Sequence, residues 1–403
     1  MSELDEPVKR TECGGSSALL APDPDGPAGK SRVLHVITHL DLGGAEEVAM
    51  ALMDTLRDQF DFAVFAVLSE GADGPVGRDM ARRLADWGVP SYFGARGRFK
   101  SGGVILAALS LLRAIRRFRP DAIHVHTEIP ELTLATACAM SAGARRVPLL
   151  RTVHNSELWI AWQGLGRWVT GRLAHGQAVA VSRRAAEADA AIATRGVRPR
   201  ADVIHNGVRR LTPAPPERRG GSVRVLFAGR MVLQKGADLL PALLERAWSL
   251  TVRRDVAVTL AGTGELLEGV KTALSGRLAG WDVGVVPPLE RLAERLHDYD
   301  AVLMPSRFEG FALLALEALG AGVPLVVTIA PGLDEVLPPD YPFQAEPGDV
   351  AALGGHLARI IDDPTGARAA AASFTAWTQE RFSSEAMALA YASRYRALCA
   401  RRG

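Results

Sequence analysis

The sequence predicts an α/β protein made of two Rossmann-like, doubly wound domains that face each other across a cleft. Three observations predict it. Short β-branched runs alternate with longer segments of helical periodicity. The alternation stops at a Pro- and Gly-rich stretch, residues 211–221, and then restarts. The chain has 403 residues, long for one core and comfortable for two.

The elements follow in order. Residues 1–30 are rich in Gly, Pro, Ser and Asp, lack periodicity and read as a disordered tail. The first domain, 31–205, has expected strands at 32–38, 62–68, 122–126, 149–154 and 178–182. Helices are expected at 45–57, 104–118 and 131–142. Continuous apolar strands separated by helices indicate a parallel sheet covered on both faces. Residues 206–221, with Pro213, Pro215, Pro216, Gly220 and Gly221, read as a linker. The second domain, 222–385, repeats the pattern. Its strands are expected at 223–228, 256–261, 283–286, 301–304 and 325–328, and its helices at 237–250, 289–296 and 313–321. Residues 386–403 read as a final helix that packs back on the first domain. Parallel sheets bind ligands beyond the C-terminal ends of their strands, so the site is expected in the cleft.

Composition narrows the class. The chain is 48% hydrophobic and 23% charged, ordinary for a globular protein. A net charge of +2 gives no field that would make nucleic acid a default partner. Arginines cluster at Arg113, Arg116, Arg117 and Arg119, and at Arg209, Arg210, Arg218 and Arg219. These read as solvated faces, or as a basic rim for anionic lipid or a phosphorylated acceptor. Cys13, Cys138 and Cys399 lack the number and spacing of a disulfide framework or a zinc site, which points to a reducing compartment. The start, MSELDEPVKR, has no apolar segment, and no apolar run is long enough to span a bilayer. The expected location is the cytoplasm, with peripheral contact to the inner face of a membrane left open.

Four strand ends carry chemistry. Gly43 and Gly44 follow the first strand and open a helix, where bare backbone and the helix dipole suit a phosphate. Glu46 sits in that first turn. Gly229-Arg230, with Lys235-Gly236 just beyond, places two cations at one strand end, where they can neutralise a diphosphate. Gly262-Thr263-Gly264-Glu265 is a Gly-rich turn too short for a dinucleotide fingerprint. Last comes Pro305-Ser306-Arg307-Phe308-Glu309-Gly310-Phe311-Ala312-Leu313, running into an apolar helix that contains Glu317. A carboxylate there is costly without a partner. On a single helix Glu309 and Glu317 would stand ~12 Å apart, too far for a paired acid and nucleophile. They read instead as two anchors for one extended ligand.

The E-x7-E spacing of Glu309 and Glu317, within P-S-R-F-E-G-F-x-L-x-x-L-E-A-L-x-x-G-x-P, resembles the retaining glycosyltransferases of family 4, with the GT-B fold. The likeness runs from about Val33 to Arg381 and includes the Gly-Gly-Ala-Glu loop, His154 in R-T-V-H-N, and the segment Ile204-His205-Asn206-Gly207-Val208. It implies transfer of a sugar, with retention, from a nucleoside-diphosphate sugar to an acceptor hydroxyl. UDP is favoured, and the setting would be bacterial glycan, glycolipid or secondary-metabolite biosynthesis. It implies that Arg230 and Lys235 hold the diphosphate, Glu317 the ribose, and Glu309 the sugar, with backbone N–H groups of Gly310, Phe311 and Ala312 beside it. Gly44 would close over the phosphates, and His154 would face the reacting carbon. Glu265 and residues 286–289, including Pro288 and Leu289, would border the base. The sequence departs from the family at Asn155, where many members have Asp, and at Pro331-Gly332-Leu333-Asp334-Glu335.

His124 and His126 lie two apart on one strand face, with no third ligand evident, so no metal or bound cofactor is expected. Trp159 and Trp162, at helical spacing, read as core, or as an acceptor or membrane patch along with Glu46 and His126. A monomer or homodimer is expected. The alternatives are a sugar-nucleotide epimerase or phosphorylase of the same architecture, and a non-catalytic binding subunit.

Overall fold

The structure is a computed structural model that describes residues 29–41, 43–69, 73–95, 103–160, 162–192, 200–211 and 221–400. Cys13, Arg218, Arg219, residues 1–28 of the expected tail and 212–220 of the expected linker lie outside the described residues.

Two parallel sheets form the framework. The first contains β1 (Ser31–Ile37), β2 (Phe60–Leu68), β3 (Ser91–Ala95), β4 (Ala122–His126), β5 (Leu149–Val153), β6 (Gln177–Ala180) and β7 (Asp202–Val203), in the order β3-β2-β1-β4-β5-β6-β7. The second contains β8 (Val223–Ala228), β9 (Val256–Ala261), β10 (Trp281–Val286), β11 (Ala301–Met304), β12 (Leu325–Thr328) and β13 (Gln344–Ala345), in the order β10-β9-β8-β11-β12-β13. Strand order reverses between β1 and β4 in one sheet and between β8 and β11 in the other. These reversals are the switch points where a doubly wound sheet opens a crevice.

The strands expected from β-branched runs are present within a residue or two of their predicted bounds. β5 ends at Val153, one residue early, which releases His154 into the following loop. The expected helix at 237–250 starts with a 3-10 turn and becomes α-helical at Leu240–Leu250, with Pro241 in its first turn. Proline fits there because the first N–H groups of a helix have no internal partner. The elements missed in sequence are short edge strands, β3, β7 and β13, and helices such as Pro75–Asp86 and Val350–Asp362.

The alternation of β1 divides the first domain's core. Leu34 and Val36 pack on one face, against the helix Gly103–Phe118. Val33 and Ile37 face the other side, where the core is completed by Met387, Ala388, Tyr391, Ala392, Tyr395 and Leu398. These belong to the final helix, Ser384–Cys399, which therefore packs on the first domain. Ser383 caps it by accepting the Ala386 N–H at 3.0 Å.

One charged triad is buried beneath the sheet. Arg151 on β5 pairs with Glu131 at 2.7 Å and with Asp189 at 3.3 Å, all nearly excluded from solvent. The triad fixes β5 between two helices, Glu128–Met140 and Arg183–Ile192. Removing Arg151 would take from two buried carboxylates the cation they share. Arg151→Ala should destabilise the first domain by about 3–5 kcal/mol, read as a lower urea midpoint in equilibrium unfolding. An unchanged midpoint would show that water reaches the triad.

Candidate active site

The second sheet builds its half of the site from the two loops at its switch point. After β8, Arg230 is exposed, with its guanidinium donating to Gln234 Oε1 at 3.0 Å. A single 3-10 turn, Leu233–Lys235, then ends on Gly236 at φ +67. A Cβ at Gly236 would overlap the Pro305 carbonyl, so glycine is required both for the left-handed turn and for the close approach. That approach brings Lys235 against the loop after β11. Lys235 Nζ donates to both carboxylate oxygens of Glu309, at 2.8 and 2.7 Å, and Ser306 Oγ donates to Oε1 at 2.6 Å. Arg307 forks onto Asp238 at 2.6 and 2.7 Å and ties the same two loops together. Glu309 lies in the loop ahead of the helix Leu313–Gly320, so the single-helix spacing does not describe its distance from Glu317.

Beyond Glu309, the N–H groups of Gly310, Phe311 and Ala312 have no acceptor among the described residues. They precede the N-terminus of Leu313–Gly320. The first domain aims a second helix N-terminus at the same place: Gly44 opens the helix Gly44–Leu56, and a Cβ there would sit 3.8 Å from Leu313 Cδ1. Two positive dipole ends thus meet across the cleft, a setting for an anion.

Carboxylates stand one turn behind. Glu317 is half-buried, and burial, reinforced by the charge of Glu47 across the cleft, pushes its carboxyl up to about 8. Glu46, expected on the acceptor side, is instead only 4% exposed. Its carboxylate lies where a Cβ on Gly43 would fall, and it accepts the N–H groups of Glu46, Thr38 and His39. Burial still raises it. Glu46 therefore holds the Gly43-Gly44 loop in shape and is closed to an acceptor.

His154 is 7% exposed, and burial pushes its imidazole down to about 3, so it is neutral. Its Nε2 lies 3.0 Å from His126 Nδ1. His126, also expected on the acceptor side, is fully buried behind His154. The register of β1 on β4 sets His35 directly beside His124 and supplies the third imidazole that sequence spacing could not show. His35, His124 and His126 bring ring nitrogens within 4.8 Å of one another, and all six nitrogens already have hydrogen-bond partners. The two half-sites touch: a Cβ on Gly310 would overlap the His154 carbonyl, and Ser156 Oγ donates to the Glu309 carbonyl at 3.0 Å.

Gly264 and Glu265 follow β9, and Pro288 and Leu289 follow β10, at the same edge of the sheet. A Cβ at Gly264 would overlap the Met231 carbonyl, and Glu265 is exposed. Trp159 and Trp162 do not share a helix. Trp159 has φ +54 and packs against Gly166, and Trp162, 55% exposed, precedes the helix Gln163–Arg172. The turn between them, closed by the Trp162 N–H on the Trp159 carbonyl, imitates helical spacing.

Glu335 was not foreseen as a functional group. Its carboxylate accepts the N–H groups of Arg183 and Arg184, at 3.0 and 3.2 Å, and meets His205 Nε2 at 3.3 Å. Burial would raise it, but these contacts outweigh burial and hold it below the usual carboxylate range. A second-domain acid thereby caps a first-domain helix. The unusual Pro331–Glu335 segment was the available signal.

Residues 42–210 match the family model Glycosyltransferase Family 4, and residues 208–375 match Glycosyl transferases group 1. Glycogen synthase of Mycobacterium tuberculosis is 31% identical over 316 residues, covering 73% of this chain and 72% of that protein. The chain belongs to the family-4 glycosyltransferases. D-inositol 3-phosphate glycosyltransferase 1 of Catenulispora acidiphila is 30% identical over 273 residues, 60% of this chain and 64% of that protein. Among solved structures, Anabaena HepE in complex with UDP and glucose superposes with a TM-score of 0.73 at 18% identity, over 91% of this chain and 100% of that one. Sucrose-phosphate synthase from Thermosynechococcus elongatus gives 0.69 at 18%, over 92% and 100%. The fold of this glycosyltransferase is thus GT-B. No helix among its described residues is long and apolar enough to cross a membrane.

The neutral histidines give the enzyme an acid limit. His35 and His154 are held down to about 3, and His124 and His126 well below their usual value, chiefly by burial. An unfolded imidazole takes up its proton near pH 6.5. These groups therefore stabilise the fold fully above pH 6.5, and that stability drains away as pH falls from there towards 3. Each neutral imidazole shifts the unfolding equilibrium by about tenfold per pH unit in that window. Thermal midpoints should fall steeply between pH 7 and pH 5. A flat profile there would contradict the burial of the cluster.

Proposed function

We propose that this glycosyltransferase moves a sugar, with retention at the anomeric carbon, from a nucleoside-diphosphate sugar to an acceptor hydroxyl, UDP being the favoured nucleotide. The supporting observation is the set of three N–H groups, Gly310 to Ala312, that have no acceptor among the described residues and lie at the facing starts of two helices, just after the Glu309 held by Lys235. A diphosphate fits there. Arg230, tethered only to the neutral Gln234, turns its fork onto phosphate oxygens. Lys235 and Ser306 lock the Glu309 carboxylate in one orientation, and its remaining lone pairs accept sugar hydroxyls. Glu317 holds ribose hydroxyls, and the loops after β9 and β10 border the base. That HepE is complexed with UDP and glucose supports the choice of nucleotide.

Retention is taken from the family resemblance, and a single same-face step is favoured over a two-step route through a covalent sugar–enzyme bond because neither Glu309 nor Glu317 is poised as a nucleophile. Glu309 is claimed by Lys235 and Ser306, and Glu317 holds its proton at neutral pH. The acceptor oxygen then attacks from the face the diphosphate leaves, and the departing phosphate takes its proton. The chain's work is positioning and leaving-group stabilisation. Cations and helix ends do this without a metal or bound cofactor.

The test is a panel of UDP-, GDP- and ADP-sugars scored by thermal stabilisation and donor hydrolysis, with and without EDTA. We expect a UDP-sugar to stabilise the wild type, EDTA to change nothing, and Lys235→Ala to lose the response. NMR of early product should show the donor's anomeric configuration. No response to any nucleotide would sink the donor site, and an inverted product would sink retention.

Glu317→Gln separates stability from binding. The raised carboxyl costs stability as pH climbs from its unfolded value near 4.5 towards 8. The amide removes that cost. The unliganded variant should melt a few degrees higher at pH 7.5 while binding nucleotide more weakly. A lower midpoint would mean that Glu317 is ionised and paired.

A further inference from the structure

Behind His154 runs an unbroken file of buried polar groups. His154 Nε2 meets His126 Nδ1 at 3.0 Å, and His126 Nε2 meets His35 Nδ1 at 3.0 Å. His35 Nε2 meets the Tyr395 hydroxyl at 3.3 Å, which meets His124 Nδ1 at 2.7 Å. His124 Nε2 meets Thr152 Oγ1 at 2.7 Å, which meets the Tyr391 hydroxyl at 3.1 Å. Apart from His154 at the site end, every member is completely buried. The file starts in the cleft and ends on the final helix.

Each neutral imidazole has one N–H and one bare nitrogen, and each hydroxyl donates once. Along such a file the choice at one link dictates the next. Four arrangements satisfy every link, but in two of them the donors converge on Tyr395 or on Thr152, whose own buried O–H is then stranded among the described residues, and the other two run in one direction throughout. In the first, His154 donates from Nε2 and all donors point away from the cleft, ending with Thr152 donating to Tyr391. The Tyr391 O–H then has no acceptor among the described residues, in a fully buried position. In the second, Tyr391 donates to Thr152, Thr152 to His124, His124 to Tyr395, Tyr395 to His35, His35 to His126, and His126 to His154. No donor is stranded. A buried donor without an acceptor is disfavoured by roughly tenfold or more in population, so the second arrangement prevails. His154 then accepts at Nε2 and must carry its proton on Nδ1. Nδ1 has no partner among the described residues, which leaves its N–H for a ligand.

We propose that Tyr391 and Tyr395 of the final helix, through Thr152, His124, His35 and His126, fix the tautomer of His154, so that it meets the substrate as a neutral Nδ1–H donor to an oxygen of the sugar or diphosphate. The six are positioning residues, since they act on the ligand only through His154. A histidine set this way cannot serve as a general base at Nδ1. It discriminates in favour of ligands that present an oxygen lone pair at that point. The ligand's identity rests on the donor-site reading above, whereas the tautomer is a property of the free protein and can be measured without nucleotide.

The experiment is long-range 1H–15N NMR of the whole chain labelled with 15N-histidine, with the His154 signals assigned by their loss in His154→Gln. The free enzyme should show His154 protonated at Nδ1 and bare at Nε2. Addition of UDP-glucose, or of UDP alone, should shift the Nδ1–H resonance. Tyr395→Phe cuts the file at His35, whose Nε2 then lacks its partner in either direction, so the Nε2–H form of His154 should appear and kcat should fall about tenfold, the worth of one hydrogen bond, with KM nearly unchanged, whereas Tyr391→Phe leaves Thr152 as the end donor and should keep the wild-type tautomer. Thr152→Ser should restore what Thr152→Val loses. An Nε2–H tautomer in the wild type overturns the proposal whether or not any variant folds. So does a His154 spectrum in folded Tyr395→Phe that matches the wild type. If the tautomer is as expected and no nucleotide shifts it, the donor-site reading fails and the file stands.

Discussion

A parallel sheet presents all its C-terminal loops at one edge, and this enzyme presses two such edges together. The tightest point is Gly310 on the His154 carbonyl, where a single Cβ would not fit. Everything in the site is referred to that contact. It places the donor loop after β11 against the loop that β5 releases, and the helix start at Leu313 against the one at Gly44. The requirement for glycine at Gly236 has the same character. There the chain after β8 touches Pro305 and so delivers Lys235 to Glu309. Close backbone approach, more than any single side chain, sets the distances on which the chemistry depends.

The charges around this contact combine positive potential with two carboxylates that are handled differently. Two helix N-termini, Arg230 and Lys235 supply positive potential. Glu309 is neutralised by its own lysine, whereas Glu317 has no such partner and keeps its proton against burial and Glu47. Away from the site the chain treats charge differently. Arg151 is matched by two acids, and Glu335 is matched by N–H groups of the facing domain. Glu317 stands at the cleft, and a perturbed carboxyl in such a place marks a candidate functional group.

How much of this was legible in sequence follows from the range of each signal. The strands around β8 and β11 are short apolar runs, and the glycines and cations after them are local, so the loops that meet at Lys235 and Glu309 could be read directly. The acid spacing was legible as a motif, but its geometry was not, because the helix begins only at Leu313. Trp159 and Trp162 misled because a tight turn and a helix share a three-residue spacing, and only the left-handed φ of Trp159 separates them. His35 could not be joined to His124 without the register of β1 on β4, and Tyr395 reaches both from the far end of the chain. Glu335 was visible as a departure in pattern, yet its role as a cap for Arg183–Ile192 exists only across the domain boundary.

The final helix links these levels. The chain passes between the sheets twice, near Val208 and near Ser383, and the two passages are bonded to each other. The Val208 N–H donates to the Phe382 carbonyl at 2.9 Å, and the Ser384 N–H donates to the Val208 carbonyl at 3.0 Å. A Cβ at Gly207 would overlap the Ser383 carbonyl, so the passages cannot separate without cost or approach further. The helix that begins at Ser384 carries Tyr391 and Tyr395 into the first domain, under the strands that end at His126 and Val153. The bonded passages and the histidine file thus share one helix, so the same element anchors the contact between the sheets and the hydrogen bonds behind His154.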